Sequence, residues 1–289
     1  MSTVKHVSAR KPFQPAAALR RLLHVSDSAA PILVMTHHKT GTVLLSKVLK
    51  RIAAHLNRSL CKAYGYFDTL PSADIVIFEH SLLADDLRRG IRKGVHIRRD
   101  PRDVVVSGYL YHLKTDEAWC RARAADHQDR HAWPVIPMVR EHLPAEWKEQ
   151  YLNDLDGRSY QQLLNELDPT AGLIWEMEHA SGWAITGMLD WDYQLDNVLE
   201  LKLEELVSEF DASFKKIFEH LGFSERLTNE LLSAIQSENL ANMSDRQIAE
   251  HGHIHSRNLS KWEEYFDDRV GERFDQLFPG AVRKLGYEV

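Results

Sequence analysis

Short apolar runs alternate with amphipathic stretches over roughly the first 110 residues of the chain. Residues 31–35 and 74–79 contain continuous apolar runs, which are typical of strands buried on both faces, and we predict a third strand at 95–98. Apolar residues at helical spacing predict a helix over 44–56, and 82–92 predicts another. Strands that alternate with helices indicate parallel βαβ units, so we expect an α/β fold with a central parallel β-sheet flanked by helices.

The rest of the chain predicts mostly helices. Their periodicity places them at 145–167, 170–189, 204–221 and 224–240. Strict alternation of apolar and polar residues at 198–203 predicts one more strand. Because we find no internal repeat and no low-complexity linker, we expect residues 1–289 to form a single domain, in which 1–18 is a loose N-terminal arm.

Composition and charge disfavour several classes of function. The apolar share of 44% and the charged share of 27% are ordinary for a soluble globular protein. A formal net charge of −6 disfavours nucleic-acid binding, since such proteins usually carry a basic excess. No stretch approaches 18 uninterrupted apolar residues, so we expect no membrane insertion. Residues 1–18 lack a signal-peptide core, and the distant Cys61 and Cys120 predict free thiols, which together favour a cytoplasmic protein.

The stretch 35–45 follows the first strand, opens the first helix and has the residues of a phosphate-binding loop. Such a turn presents free backbone N–H groups and the positive end of a helix dipole. Gly41 allows close approach, Thr40 and Thr42 add hydroxyl donors, and Lys39 adds a mobile cation. These features predict a P-loop-like nucleotide-binding core. Taken alone, they are equally compatible with a tight strand–helix turn that carries an incidental lysine.

The order of residues in this loop differs from that of a nucleoside triphosphatase. There the lysine follows the second glycine of Gly-x-x-x-x-Gly-Lys-Ser/Thr. Here Lys39 precedes Gly41, and the upstream glycine is missing. The sequence therefore disfavours triphosphate hydrolysis.

A second segment, 97–109, repeats the pattern of strand, turn and helix. Arg99 and Ser107 are eight residues apart, one at the strand end and one on the second turn of the next helix. An arginine fork and a hydroxyl placed in this way converge on one phosphate. Asp100 and Asp103 can hold the neighbouring arginines in place. The alternative is a helix start capped by aspartate and flanked by surface arginines.

The stretches 39–42 and 99–107 together resemble the sulfotransferases that use 3′-phosphoadenosine 5′-phosphosulfate (PAPS). The resemblance implies that the first loop binds the 5′-phosphosulfate and the second segment binds the 3′-phosphate. A weaker similarity near Trp262 implies a third contact to the 3′-phosphate. The implied nucleotide-binding residues are Lys39, Thr40, Gly41, Thr42, Val43, Arg99, Ser107 and Arg257. Val43-Leu44 replaces a Thr-Trp pair of the family, whose aromatic ring stacks on adenine.

The resemblance also implies a reaction, in which a sulfuryl group passes to a hydroxyl or amine of a small-molecule acceptor. Lys39 is the expected cation at the leaving phosphate. We predict His80 as the general base, because it resembles the family's catalytic histidine and follows a strand at the same sheet edge. Glu79 is the alternative base.

Three further questions remain open in the sequence. The histidines at 37–38 and 251–255 lack supporting acidic or cysteine ligands at metal-site spacing, so we expect no metal. A P-loop-type nucleotide kinase and a non-catalytic nucleotide-binding scaffold are the alternative functions. The sequence specifies neither the acceptor nor the oligomeric state.

Overall fold

The computed structural model describes residues 30–123, 125, 144–244, 246 and 258–288. The predicted arm at 1–18 lies outside these residues, as do the histidines at 251–255. Within the described ranges, no helix combines the length and apolar character needed to cross a bilayer.

In the described part of the chain the central sheet has five strands, all parallel. They are β1 (Ile32–Met35), β2 (Leu60–Ala63), β3 (Ile75–Phe78), β4 (Gly94–Arg98) and β5 (Val198–Lys202). Their order across the sheet is β2–β3–β1–β4–β5. This confirms the predicted α/β fold with a central parallel sheet. The sequence pattern does not predict β2, because this edge strand is half-exposed and has no continuous apolar run.

The order of the strands creates a binding edge at the centre of the sheet. Met35 at the end of β1 pairs with Phe78 of β3 on one side and with His96 of β4 on the other. From β1 the chain passes to β2 and β3 on one side, and then crosses to β4 and β5 on the other side. The connections that follow β1 and β4 therefore run in opposite directions, and the position between these two strands is a topological switch point. Ligands of open α/β sheets bind at the carboxyl ends of the strands beside such a point.

Fourteen helices of the described residues surround the sheet. They are α1 (Thr42–Leu56), α2 (Asp85–Arg89), α3 (Pro101–His112), α4 (Ala118–Arg121), α5 (Ala145–Leu155), α6 (Tyr160–Glu166), α7 (Pro169–His179), α8 (Ser181–Leu189), α9 (Leu203–Ser208), α10 (Phe210–His220), α11 (Glu225–Ile235), α12 (Trp262–Tyr265), α13 (Asp268–Leu277) and α14 (Ala281–Lys284). Two short 3₁₀ helices follow α11, at Gln236–Glu238 and Leu240–Asn242.

The long helices predicted from periodicity are divided in the structure. The stretch 145–167 forms α5 and α6 because Asp156 and Gly157 take left-handed angles, with φ of 48° and 78°. Ser159 then begins α6 with a capping box. The predicted helix over 44–56 is confirmed as α1. Of the other predicted helices, 170–189 is divided at residue 180, 204–221 is divided at residue 209, 224–240 ends before residue 236, and 82–92 contracts to α2. Apolar periodicity continues across each break and therefore does not reveal it.

Helix α3 is buried on most of its surface, which fixes the residues it carries toward the sheet edge. It packs against α7 and α8, and nine of its twelve residues are buried. Gly108 makes this packing possible, because a Cβ there would lie 2.2 Å from Ser181 Oγ and 2.4 Å from Glu176 Oε1. Neither atom can retreat easily, since the Ser181 hydroxyl donates to the fully buried Glu176 carboxylate at 2.5 Å.

Substitution of Gly108 tests this packing. We expect Gly108→Ala to lower the free energy of unfolding by about 1–3 kcal/mol, because the added methyl group overpacks a closed polar cluster. Urea denaturation measures the change. Gly271→Ala on α13 is the matched control, because a Cβ there meets nothing within 4 Å. The control should stabilise the protein by about 0.5–1 kcal/mol. Equal stability of Gly108→Ala and wild type would show that the cluster is loosely packed.

Candidate active site

The loop between β1 and α1 is held together by Thr40. Its hydroxyl accepts a hydrogen bond from the His37 N–H at 2.8 Å and donates one to the His37 carbonyl at 3.0 Å. The Thr40 N–H donates to the same carbonyl at 3.1 Å, and the side chain is fully buried. Both donors that we expected to meet a phosphate are therefore used inside the loop. In this structure Thr40 shapes the loop, and its side chain is turned into the loop.

The first turn of α1 presents N–H groups without intrahelical partners. Lys39 and Gly41 take left-handed angles, with φ of 64° and 95°, and turn the chain into the helix. The Leu45 N–H donates to the Gly41 carbonyl at 3.0 Å, and no side chain caps the turn. The N–H groups of residues 42–44 therefore favour an anion, together with the helix dipole. A Cβ at Gly41 would lie 2.6 Å from Leu203 Cδ1, which explains the glycine.

Arg99 joins this loop to the C-terminal part of the chain. It follows β4 and is buried, with 6% of its surface exposed. Its Nη1 donates to the Lys39 carbonyl at 3.1 Å, and its Nη2 donates to the Leu259 carbonyl at 3.1 Å. The Nε is buried and has no hydrogen-bond partner in the described part of the chain. A buried guanidinium with an unused donor is suited to an anionic ligand.

The aspartates at the start of α3 hold this corner rigid. Asp100 caps the helix by accepting the Arg102 N–H at 2.9 Å, and it receives the Arg102 guanidinium at 3.1 and 2.7 Å. Asp103 differs from our expectation, because its Oδ1 accepts the backbone N–H groups of Lys261 and Trp262 at 2.6 and 3.1 Å. Asp100 thus holds an arginine, whereas Asp103 holds the chain segment that contacts Arg99.

One cavity of about 250 Å³ collects these features. Among its lining residues are Lys39, Gly41, Thr42, Val43, Arg99 and Ser107. Its apolar lining includes Leu44, Leu203, Val207, Leu240 and Met243. A second cavity of about 20 Å³ is lined only by apolar side chains. Of the predicted nucleotide-binding residues, Thr40 does not line the large cavity and Arg257 lies outside the described residues.

The Lys39 side chain extends into the cavity over an aromatic ring. Its Nζ lies 3.9 Å from the centroid of the Tyr111 ring. Within the described residues this ammonium makes no hydrogen bond and no ion pair. Burial lowers the pKa of Lys39 to about 7, and Arg99 lowers it further, whereas Glu117 and Glu176 oppose the change. Lys39 is therefore a half-buried amine whose protonated form a polyanionic ligand would stabilise.

Glu79 and His80 both line the cavity. Strand alternation would place them on opposite faces, but β3 ends at Phe78 and the alternation ends with it. The Glu79 carboxylate forms an ion pair with Lys62 at 3.0 Å. The two candidate bases therefore differ in environment, because one is already bound to a cation.

His80 is neutral and has an unused ring nitrogen. Its Nδ1 is buried without a hydrogen-bond partner in the described chain, and its ring meets the Tyr64 ring edge to face at 5.4 Å. Burial lowers the pKa of His80 to about 4, although the nearby Glu117 carboxylate opposes this shift. At neutral pH the imidazole is therefore uncharged, which is the form that a general base requires.

His37 points into the core below the loop and belongs to a buried polar chain. Its Nε2 lies 2.9 Å from Nε2 of His96, whose Nδ1 lies 2.6 Å from the Glu200 carboxylate. Trp191 donates its indole N–H to the same carboxylate at 2.8 Å. Burial lowers the pKa of both histidines and raises that of Glu200 to about 7. This row of hydrogen-bonded side chains lies beneath the loop between β1 and α1 and supports it.

His38 points the other way, toward the cavity. Its ring stacks on His112 with centroids 5.0 Å apart. His112 and Tyr160 contact the buried Glu176 carboxylate at 2.8 and 2.7 Å. The adjacent histidines thus point apart, and the described residues contain no group of three or more potential metal ligands.

Several residues that line the cavity were not predicted from the sequence. Tyr111 follows Ser107 by four positions on one helix, so helical spacing alone places both on the same face. Lys62 and Glu117 carry no such signal, because one lies on the unpredicted edge strand and the other in a connection before α4. Leu259 and Lys261 also line the cavity, and only the tertiary structure brings them there.

The chain is similar to known proteins in sequence and in fold. The family model described as "Sulfotransferase domain" matches residues 29–286. The crystal structure of mouse sulfotransferase SULT7A1 complexed with PAP shares the fold, at 18% identity and a TM-score of 0.50, covering 93% of this chain and 89% of that one. A structure of retinol dehydratase in complex with androsterone and inactive cofactor PAP is 15% identical, with a TM-score of 0.40 and coverage of 90% and 82%. No curated protein matches significantly. Because the family model spans most of its length, the chain belongs to the sulfotransferase family.

Proposed function

We propose that this protein transfers the sulfuryl group of PAPS to a hydroxyl or amine group of a small-molecule acceptor. The observation that supports the proposal is the shared cavity, where Lys39 and the start of α1 meet Arg99 and Ser107. A nucleotide with anionic groups at both its 5′ and 3′ ends fits two cationic sites in one cavity better than a nucleotide with one anionic end.

The residues present fit such a donor. The 5′-phosphosulfate would be held by Lys39, by the close approach that Gly41 allows, and by the N–H groups of Thr42 and Val43. Arg99 and Ser107 would bind the 3′-phosphate, and the Arg99 Nε, which is buried without a partner among the described residues, supports this assignment. We propose that Arg257 adds to the same subsite, while Thr40 keeps the loop in shape.

We propose that the apolar lining of the cavity supplies the wall for adenine. Leu44 stands where the family has an aromatic residue, and Leu203, Leu240 and Met243 line the same cavity. Aliphatic side chains on several sides can contact a base through dispersion and the hydrophobic effect without ring stacking.

The chemistry requires a cation and a base, and the cavity contains both. The acceptor oxygen attacks sulfur in line, the bond between sulfur and the bridging phosphate oxygen breaks, and His80 takes the acceptor proton. The Lys39 ammonium stabilises the negative charge that develops on the departing phosphate. For an amine acceptor, nitrogen replaces oxygen and loses its proton to the same base. Glu79 is the weaker candidate, because Lys62 already pairs with it.

The sequence and the cavity disfavour two alternative functions. A nucleotide kinase is disfavoured because the lysine precedes the glycine of the loop. A non-catalytic scaffold is disfavoured because Lys39 and His80 share the cavity.

We also propose a single domain over 1–289 and a cytoplasmic location, in keeping with the free thiols of Cys61 and Cys120.

The role of Lys39 can be tested by removing its charge. We expect Lys39→Ala to lower kcat by about 10²–10³, because a buried electrostatic contact to the leaving group is lost. The assay follows transfer of radiolabelled sulfate from PAPS to a panel of phenols, alcohols and amines. Lys50→Ala is the control, since this lysine is exposed on α1 and lies outside the cavity lining. Unchanged turnover of Lys39→Ala would contradict the assigned role.

The choice of base can be tested with a pair of variants and a pH profile. We expect His80→Asn to lower kcat by about 10²–10⁴, and Glu79→Gln to have a much smaller effect. Because His80 must be neutral and Lys39 protonated, kcat/KM should rise as pH increases through about 4 and fall above about 7. Bound donor adds negative charge, so the alkaline limb of kcat should lie at higher pH than that of kcat/KM. A larger loss in Glu79→Gln than in His80→Asn would reverse the assignment.

A further inference from the structure

We propose that Tyr111 and Glu117 are positioning residues of the reaction, which hold the Lys39 ammonium extended toward the leaving phosphate. The inference deepens the proposed function and rests on it. It concerns how a flexible lysine is kept ready in the cavity.

The Tyr111 ring provides a seat for the ammonium. Tyr111 lies one helical turn beyond Ser107 on α3, and both residues line the cavity. The Lys39 Nζ lies 3.9 Å from the ring centroid, within the range of a cation–π contact. The burial of α3 fixes the backbone that carries the ring. A lysine side chain has four rotatable carbon–carbon bonds and many rotamers. A ring that already holds the ammonium in one place therefore lowers the conformational-entropy cost of positioning it when the donor binds.

Glu117 fixes the ring from its far edge. The Tyr111 hydroxyl donates to Glu117 Oε1 at 2.8 Å, and the indole N–H of the buried Trp119 donates to Oε2 at 2.5 Å. The Glu117 N–H in turn donates to Thr115 Oγ1 at 3.3 Å. Both carboxylate oxygens are thus occupied by donors from different positions along the chain. The ring that carries the ammonium is thus held at its hydroxyl by a hydrogen bond to a carboxylate that is itself fixed.

The choice of an aromatic contact leaves the lysine charge available. A carboxylate in direct contact with Lys39 would neutralise the ammonium and compete with the leaving phosphate for it. A ring face attracts the cation through its quadrupole and carries no net charge. Glu117 supplies negative charge one step away, on the other side of the ring. The arrangement therefore orients the ammonium without neutralising its charge, which stays available for the leaving phosphate.

The charges around Lys39 show what Glu117 contributes. Arg99 and Lys114 favour the neutral amine, whereas Glu117 and Glu176 favour the ammonium. Glu176 is fully buried beneath the cavity, so Glu117 is the carboxylate of this pair that lines it. The Glu117 carboxylate also opposes the lowering of the pKa of His80. Glu117 thus offsets the cations that bind the donor and favours the protonated state of Lys39 before the donor arrives.

The ring can be tested by comparing two variants at one position. Tyr111→Phe keeps the ring and loses the hydroxyl, whereas Tyr111→Leu loses the ring. We expect Tyr111→Leu to lower kcat about tenfold with little change in KM for PAPS, and Tyr111→Phe, which keeps the ring but loses the bond to Glu117, to lower kcat only about threefold. Tyr109→Phe, on the same helix but outside the cavity lining, controls for loss of a hydroxyl. Equal kcat values for Tyr111→Leu and Tyr111→Phe would overturn the role of the ring.

The charge can be tested without turnover, by titrating Lys39 itself. The rate at which acetic anhydride labels the Lys39 amine is measured against pH by mass spectrometry in the full chain. We expect Glu117→Gln to shift this titration to lower pH, because a group that favours the ammonium is removed while an oxygen remains to accept from Tyr111. Asp116→Asn is the matched control, because it removes the same charge from an exposed neighbour that pairs with Arg121. A titration that is the same in Glu117→Gln and wild type would overturn the inference.

The two measurements separate this inference from the proposed function. Labelling of Lys39 needs neither donor nor acceptor, so it reports on Glu117 even if the protein transfers no sulfate. Absence of sulfuryl transfer with a shifted titration would refute the proposed function alone. Transfer with an unshifted titration would refute the positioning role alone.

Discussion

The guanidinium of Arg99 is the contact on which the candidate site depends. It bonds the Lys39 carbonyl on one side and the Leu259 carbonyl on the other. The first bond fixes the phosphate loop, and the second fixes the segment that Asp103 holds through two backbone N–H groups. One side chain at the end of β4 therefore sets the distance between the two ends of the cavity. Its buried Nε, for which residues 258–288 and the other described ranges provide no partner, is left for a ligand.

The pattern of apolar runs predicted the fold because parallel strands are buried on both faces and leave a strong signal. The same logic placed the loops after β1 and β4 at one edge, and Lys39, Arg99 and Ser107 do line one cavity. The pattern missed β2, which is half-exposed, and the breaks between helices. A break such as Asp156–Gly157 depends on two backbone angles and leaves the apolar spacing unchanged.

Side-chain partners were harder to predict than positions. Thr40 was expected to face a phosphate, yet the loop uses its donors to close on His37. Tyr111 could have been found from its spacing with Ser107, but nothing in the sequence links Glu117 to Lys39. The pairing of His96 with Glu200 joins residues more than a hundred positions apart. Such contacts follow from the topology of the sheet, and local patterns do not contain them.

The central claim is that one cavity holds both phosphate-bearing ends of one nucleotide, and calorimetry with two ligands tests it most directly. Adenosine 3′,5′-bisphosphate and adenosine 5′-monophosphate differ only in the 3′-phosphate. Since charge-assisted hydrogen bonds to Arg99 and Ser107 are expected only for the bisphosphate, it should bind at least about tenfold more tightly at equal ionic strength. Ser107→Ala should narrow that ratio. Equal affinities of the wild-type protein for the two nucleotides would contradict the account.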